Sequence, residues 1–122
     1  MSFISSNKKL LPLNENNLES IQSAVLKPNY IRSNLSAGIL HIGVGNFHRA
    51  HLSWYLHRLM QKDLAQDWAI IGSGITEYDV KMREGLQAQD FLTTLIELNP
   101  EGNQSCEVVG PMIGYVPVEK NN

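Results

Sequence analysis

The chain's 122 residues suit one domain of ordinary size, and 43% hydrophobic with 18% charged residues allows a packed core and excludes gross disorder. A formal charge of −2 argues against a nucleic-acid or anionic-membrane partner, although residues 1–60 hold six Lys and Arg against two acids and residues 61–122 hold four against ten. The single cysteine, Cys106, excludes an internal disulfide; no secretory leader and no stretch near the ~20 apolar residues of a membrane span is present, so a cytoplasmic chain is expected.

Taken in order, residues 1–12 are polar. Asn14 is placed to cap a helix over about 15–25, with Leu18, Ile21 and Val25 on one face and Pro28 ending it. Residues 29–37 read as a connector, which makes 1–37 an N-terminal extension with one short helix. Residues 38–43 read as a strand and about 46–62 as a helix. In that helix Leu52, Tyr55, Leu56 and Leu59 form an apolar stripe, leaving Ser53, His57, Arg58 and Gln61 facing elsewhere, with His57 on a solvated face. Trp68-Ala69-Ile70-Ile71-Gly72 suits a buried parallel strand. A second helix is predicted over about 78–88. Residues 91–109 form a predicted hairpin, turning at Asn99-Pro100-Glu101-Gly102-Asn103, where proline presets φ and glycine tolerates positive φ. A further strand is expected within 111–118. The order describes an α/β fold: a parallel βαβ unit and a following antiparallel hairpin.

The stretch Gly38-Ile39-Leu40-His41-Ile42-Gly43-Val44-Gly45-Asn46-Phe47-His48 carries the chemistry. Strand, G-x-G turn and helix together make a pyrophosphate site in open α/β sheets. The first glycine turns the chain, the second admits phosphate to the backbone, and the helix offers free N–H groups. Gly43 and Gly45 fit those roles. The third position of G-x-G-x-x-G is His48, however, whose bulk separates helix from strand, and glycines kept for turn geometry alone remain the alternative. His41 is expected to be a hydrogen-bonded core histidine. His48 and His51, three apart, could pair on a metal but lack a third ligand, so no metal site is expected. Arg49 opposes the helix dipole, which suggests an anion or carboxylate nearby. Ribose recognition needs an acid after the second strand. Asp63 and Asp67 precede that strand; Glu77 and Asp79 follow it. An acid at Asp79 would favour NAD over NADP, and capping the next helix is its other possible role.

These residues resemble the N-terminal signature of the polyol-specific long-chain dehydrogenases. "GILHIGVGNFHRAH", "LNENNL", "WAIIGSGI", "LQAQDFLTTLIEL" and "VVGPMIGYV" resemble, in order, successive blocks of the mannitol 2-dehydrogenase branch, across most of residues 13–118. The resemblance implies that 38–122 is the N-terminal part of a Rossmann-like NAD-binding domain, with Gly43, Gly45, Asn46, Phe47, His48 and Arg49 forming the pyrophosphate loop and Asp79 selecting the cofactor. The position before Asp79, often acidic in such enzymes, is Tyr78. Enzymes of this kind are several times longer, and their catalytic lysine lies in a helical C-terminal domain. The chain is therefore expected to be an N-terminal piece without catalytic residues of its own. Its parent would interconvert a sugar alcohol and a ketose. The alternative is a non-catalytic nucleotide-binding or interaction fragment.

Overall fold

The computed structural model describes residues 10–45 and 48–117. Seven regular elements follow one another: β1 (Ala37–Ile42), α1 (Ser53–Met60), β2 (Ala69–Ser73), α2 (Val80–Ala88), β3 (Thr93–Leu98), β4 (Gln104–Val109) and β5 (Met112–Val116). β1, β2 and β5 form a wholly parallel sheet in the order β1-β2-β5, and β3 and β4 form a separate antiparallel ribbon. The strand expected within 111–118 thus does not extend the hairpin. It returns to lie beside β2 and closes a second parallel crossover, with the hairpin inserted ahead of it.

Both ends of the hairpin turn are tied as its residues predict. Gly102 has φ +85°, the Gly102 amide donates to the Asn99 carbonyl at 3.0 Å, and the Asn103 amide donates to Asn99 Oδ1 at 2.8 Å. β3 and β4 then pair without a break from Leu98–Gln104 down to Thr93–Val109. Near the N-terminus, Asn14 Oδ1 does accept from the Asn17 amide at 3.0 Å, but only a 3-10 helix follows, Glu15–Ser20. It buries no residue, so nothing supports an α-helix running on to 25.

Helix α1 corrects the predicted stripe. The buried residues are Ser53, Leu56, His57 and Met60, while Tyr55 and Leu59 are exposed. Every position is displaced by one. The cause lies upstream, where His48–Leu52 is a π-helical turn. A π turn holds an extra residue, and that residue rotates the following helix face by about 100°. His57 is accordingly sealed in the interior. The Gly110 amide donates to Tyr30 Oη at 3.2 Å, the Tyr30 hydroxyl lies 2.6 Å from His57 Nδ1, and His57 Nε2 lies 3.0 Å from Glu107 Oε1. A neutral imidazole carrying its proton on Nε2 satisfies all three contacts. The core has two parts. Val44, Leu56, Ile70, Leu86 and Met112 pack between the sheet and both helices; Tyr30, Leu35, Met60 and Ala69 pack at the base.

The opposite face of the sheet is open. Leu40 and Ile42 on β1 are 61% and 66% exposed, Val116 on β5 is 49% exposed, and β1 pairs with no strand on its outer side among the described residues. Parallel sheets ordinarily bury both faces.

Candidate functional site

The three parallel strands end together at Ile42, Ser73 and Val116, and the loops leaving those ends hold the predicted site. They are laced to one another: the Gly43 amide donates to the Ser73 carbonyl at 2.8 Å, and Ser73 Oγ donates to the Val116 carbonyl at 3.0 Å. In open α/β sheets this is the end at which ligands bind.

Gly43 stands at φ +89°, a left-handed conformation that explains its glycine by backbone geometry. Gly45 has no such need, and a Cβ built on it meets nothing within 4 Å. Neither backbone strain nor packing within the chain requires a glycine there. The space above Gly45 is open at the point where a phosphate would approach. The Arg49 amide then donates to the Gly45 carbonyl at 3.1 Å, which starts the helical turn. Asn46 and Phe47 lie outside the described residues.

His48 fills the place that a third glycine would leave open. Its imidazole is 2% exposed and packs on His41 of β1, with ring centroids 4.2 Å apart. The π turn at His48–Leu52 is the widening that accommodates a ring between helix and strand. Neither nitrogen of His48 nor Nδ1 of His41 finds a hydrogen-bond partner among the described residues. His41 is therefore not the hydrogen-bonded core histidine expected from the sequence. It is a ring wall for His48.

Burial, with His41 and Arg49 adding to it, pushes the His48 imidazole from 6.5 down to about 4. The unfolded chain then takes up this proton first as pH falls. The contribution of neutral His48 is complete above about pH 6.5 and is lost progressively toward pH 4, up to about 3 kcal/mol. His57, also held below its ordinary value by burial, acts in the same direction, partly offset by Glu107. The expected result is a urea midpoint that falls steeply between those pH values and a shallower fall in His48→Asn. Equal slopes in both proteins would contradict it.

Asp79 follows β2 by a short loop and a 3-10 turn, Glu77–Asp79. It does not cap α2 with its side chain. Its Oδ2 reaches back, accepting from the Ile75 amide at 2.7 Å and the Thr76 amide at 2.8 Å, and these bonds hold the carboxyl below its ordinary value. The carboxylate is thereby fixed by one oxygen, and no hydrogen bond to Oδ1 is formed among the described residues. Thr76, Asp79, Val80, Arg83, Tyr115 and Pro117 line one narrow cleft, about 180 Å³. Gly74 forms its back wall: a Cβ there would lie 2.6 Å from Tyr115 Oη and 2.9 Å from Asp79 Oδ2. Arg49 lines a different groove, with Ala50, Gln89, Thr93, Thr94 and Leu95, so the predicted loop residues do not all face one space.

Sequence reasoning missed Gly74, Arg83 and Tyr115. The "GSG" at 72–74 was the available signal for Gly74, but Tyr115 joins the site only because β5 lies beside β2. Among the described residues no group of three or more His, Cys, Asp or Glu could hold a metal ion, and no helix is long and apolar enough to cross a membrane.

Residues 37–118 match the family model described as the mannitol dehydrogenase Rossmann domain. A mannitol 2-dehydrogenase of Cereibacter sphaeroides is 50% identical over 99 residues, 81% of this chain and 20% of that protein. A mannitol 2-dehydrogenase of Emericella nidulans is 44% identical over 111 residues, 87% of this chain and 22% of that protein. Among solved structures, the ternary complex of Pseudomonas fluorescens mannitol 2-dehydrogenase with NAD and D-mannitol superposes with a TM-score of 0.84 at 37% identity, covering 88% of this chain and 22% of that one. A D-sorbitol dehydrogenase in substrate-free form superposes with a TM-score of 0.79 at 35% identity over the same shares. The chain thus spans about a fifth of the length of the relatives it matches.

Proposed function

Since the chain belongs to the mannitol dehydrogenase family through its Rossmann domain, we propose that it is the NAD-binding portion of a mannitol 2-dehydrogenase-like oxidoreductase acting in the cytoplasm. The observation that carries this reading is the lacing of β1 to β2 at their carboxyl ends. It sets the open backbone at Gly45 beside the loop that fixes Asp79. NAD supplies a ring that accepts hydride from a carbinol carbon.

The chain's own residues bind and orient. Gly43 turns the backbone, and Gly45 leaves amides bare for a pyrophosphate at the start of the helix. Asn46, Phe47, His48 and Arg49 are assigned to the same loop. His48 in its neutral form braces the loop against β1 instead of donating a charge. Asp79, ionised and held by its Oδ2, leaves its other oxygen to accept from ribose hydroxyls. The substrate would be a sugar alcohol in one direction and a ketose in the other. Proton removal from the alcohol belongs to residues outside these 122, in a C-terminal domain such as longer relatives have room for. The open sheet face around Leu40 and Ile42 and the free edge of β1 suit contact with that remaining polypeptide.

Asp79 gives the direct test. Its carboxylate favours ribose hydroxyls and repels a 2′-phosphate, so calorimetric titration is expected to show tighter binding of NAD than of NADP. In Asp79→Ala that gap should narrow by about tenfold, equivalent to about 1.4 kcal/mol. An unchanged ratio would remove Asp79 from the site.

A further inference from the structure

We propose that Arg83 and Tyr115 form a second, cationic half of the ribose subsite, so that the chain accepts nucleotides phosphorylated at the ribose 2′ position as well as NAD. The proposal rests on the dinucleotide reading above and concerns the same cleft. Arg83 lies one helical turn beyond Asp79 on α2, half-buried, and lines the cleft with it. A half-buried guanidinium is ordinarily paired with a carboxylate. Arg83 has neither an ion pair nor a hydrogen bond among the described residues, although Asp79 shares its cleft. Asp79 has instead committed one oxygen to the loop amides of Ile75 and Thr76.

The facing wall carries a second unused donor. Tyr115 Oη is closed from solvent and makes no hydrogen bond among the described residues. It sits against Gly74, close to Asp79 Oδ2, and both Asp79 and Arg83 act on it electrostatically. A buried hydroxyl without a partner is costly, and one that faces a ligand cleft gains its partner when the ligand arrives. The cleft therefore offers one fixed acceptor, Asp79, for ribose hydroxyls, and two free donors, Arg83 and Tyr115, for phosphate oxygens. The charges of Asp79 and Arg83 cancel at the rim, so the repulsion of a 2′-phosphate that Asp79 alone would exert is largely neutralised. A lone carboxylate in this position selects NAD; a nearby arginine is the usual means of accommodating the phosphate of NADP.

Calorimetry with 5′-ADP and 2′,5′-ADP on the chain and on Arg83→Gln and Arg83→Lys separates the possibilities. In the unaltered chain 2′,5′-ADP is expected to bind within about thirtyfold of 5′-ADP. Arg83→Gln should weaken 2′,5′-ADP by about tenfold or more while changing 5′-ADP by less than about twofold, and Arg83→Lys, which keeps a point charge, should recover part of the loss. Arg83 is on the surface of α2 and contributes no hydrogen bond to the fold, so far-ultraviolet circular dichroism of the variants should match the parent. A wild-type gap beyond about thirtyfold, or equal weakening of both ligands in Arg83→Gln, would overturn the 2′-phosphate subsite and leave NAD binding standing. Failure of 5′-ADP itself to bind would overturn the dinucleotide reading, and this inference with it.

Discussion

Gly45→Val is expected to abolish measurable NAD binding, a loss of about a hundredfold or more, with little change in the stability of the fold. The two halves of that expectation have separate grounds. Gly45 is not at positive φ, and a Cβ at this position meets nothing within 4 Å, so the folded chain tolerates a side chain there. The same open space is the approach to the main-chain amides that would receive a pyrophosphate, and a β-branched side chain fills it. Stability measured by urea denaturation and affinity measured by calorimetry should therefore part company in this variant. Unchanged affinity would show that the turn is a plain βα connection. A collapse of stability would show that its glycine serves packing instead. Gly43→Val, by contrast, should damage both properties, because φ +89° is strained for any branched residue.

Arg32→Ala is expected to cost about 3 kcal/mol or more of unfolding free energy. Arg32 is buried, and its guanidinium is the joint between the N-terminal segment and the far end of the chain. Nε donates to the Gly110 carbonyl at 2.9 Å, and one terminal nitrogen donates to the Met112 carbonyl at 2.6 Å and the Asp90 carbonyl at 2.8 Å. The other terminal nitrogen pairs with Glu15 at 3.2 Å. Truncation leaves buried carbonyls without donors and opens a void beside Gly110, whose Cα faces the arginine stem. The Glu15 pair itself is half-exposed and adds little. Arg32→Lys should retain less than half of the stability that Ala loses, since one ammonium cannot reach three carbonyls set around a planar fork. A loss below about 1 kcal/mol for Arg32→Ala, in two-state urea unfolding, would mean that water or another donor replaces the guanidinium.

Local pattern carried the strands well. The apolar run before Gly43 and the run at 69–73 lie where they were expected, within one residue, because a buried parallel strand announces itself by continuous hydrophobicity. The hairpin turn was legible for the same reason, as Asn99 and Gly102 act through their immediate neighbours. What failed was anything decided by distant partners. His57 reads as a surface residue until Tyr30, 27 positions earlier, and Glu107, 50 positions later, are brought against its two nitrogens. Arg32 reads as a connector residue, yet its acceptors lie 58 to 80 positions away. The one-residue displacement of α1's buried face has no periodic signal at all, since it arises from the π turn that makes room for His48.

The candidate site divides along the same line. Gly43 and Gly45 were visible because their demands are local. Asp79 was found by its position after β2, but the role of its Oδ2 in fastening the Ile75–Thr76 loop, in place of a helix cap, required the fold. Tyr115 could not be placed while β5 was grouped with the hairpin strands; its parallel register, Tyr115 opposite Gly72, carries it to the cleft.

The most direct test is a crystal structure of the chain grown with saturating NAD. Density for the pyrophosphate against the main chain of residues 43–45, with the adenosine ribose hydroxyls at the Asp79 carboxylate, is the expected result. An ordered turn with no cofactor upon it, or one whose approach is closed by the His48 imidazole, would contradict dinucleotide binding at the carboxyl end of β1.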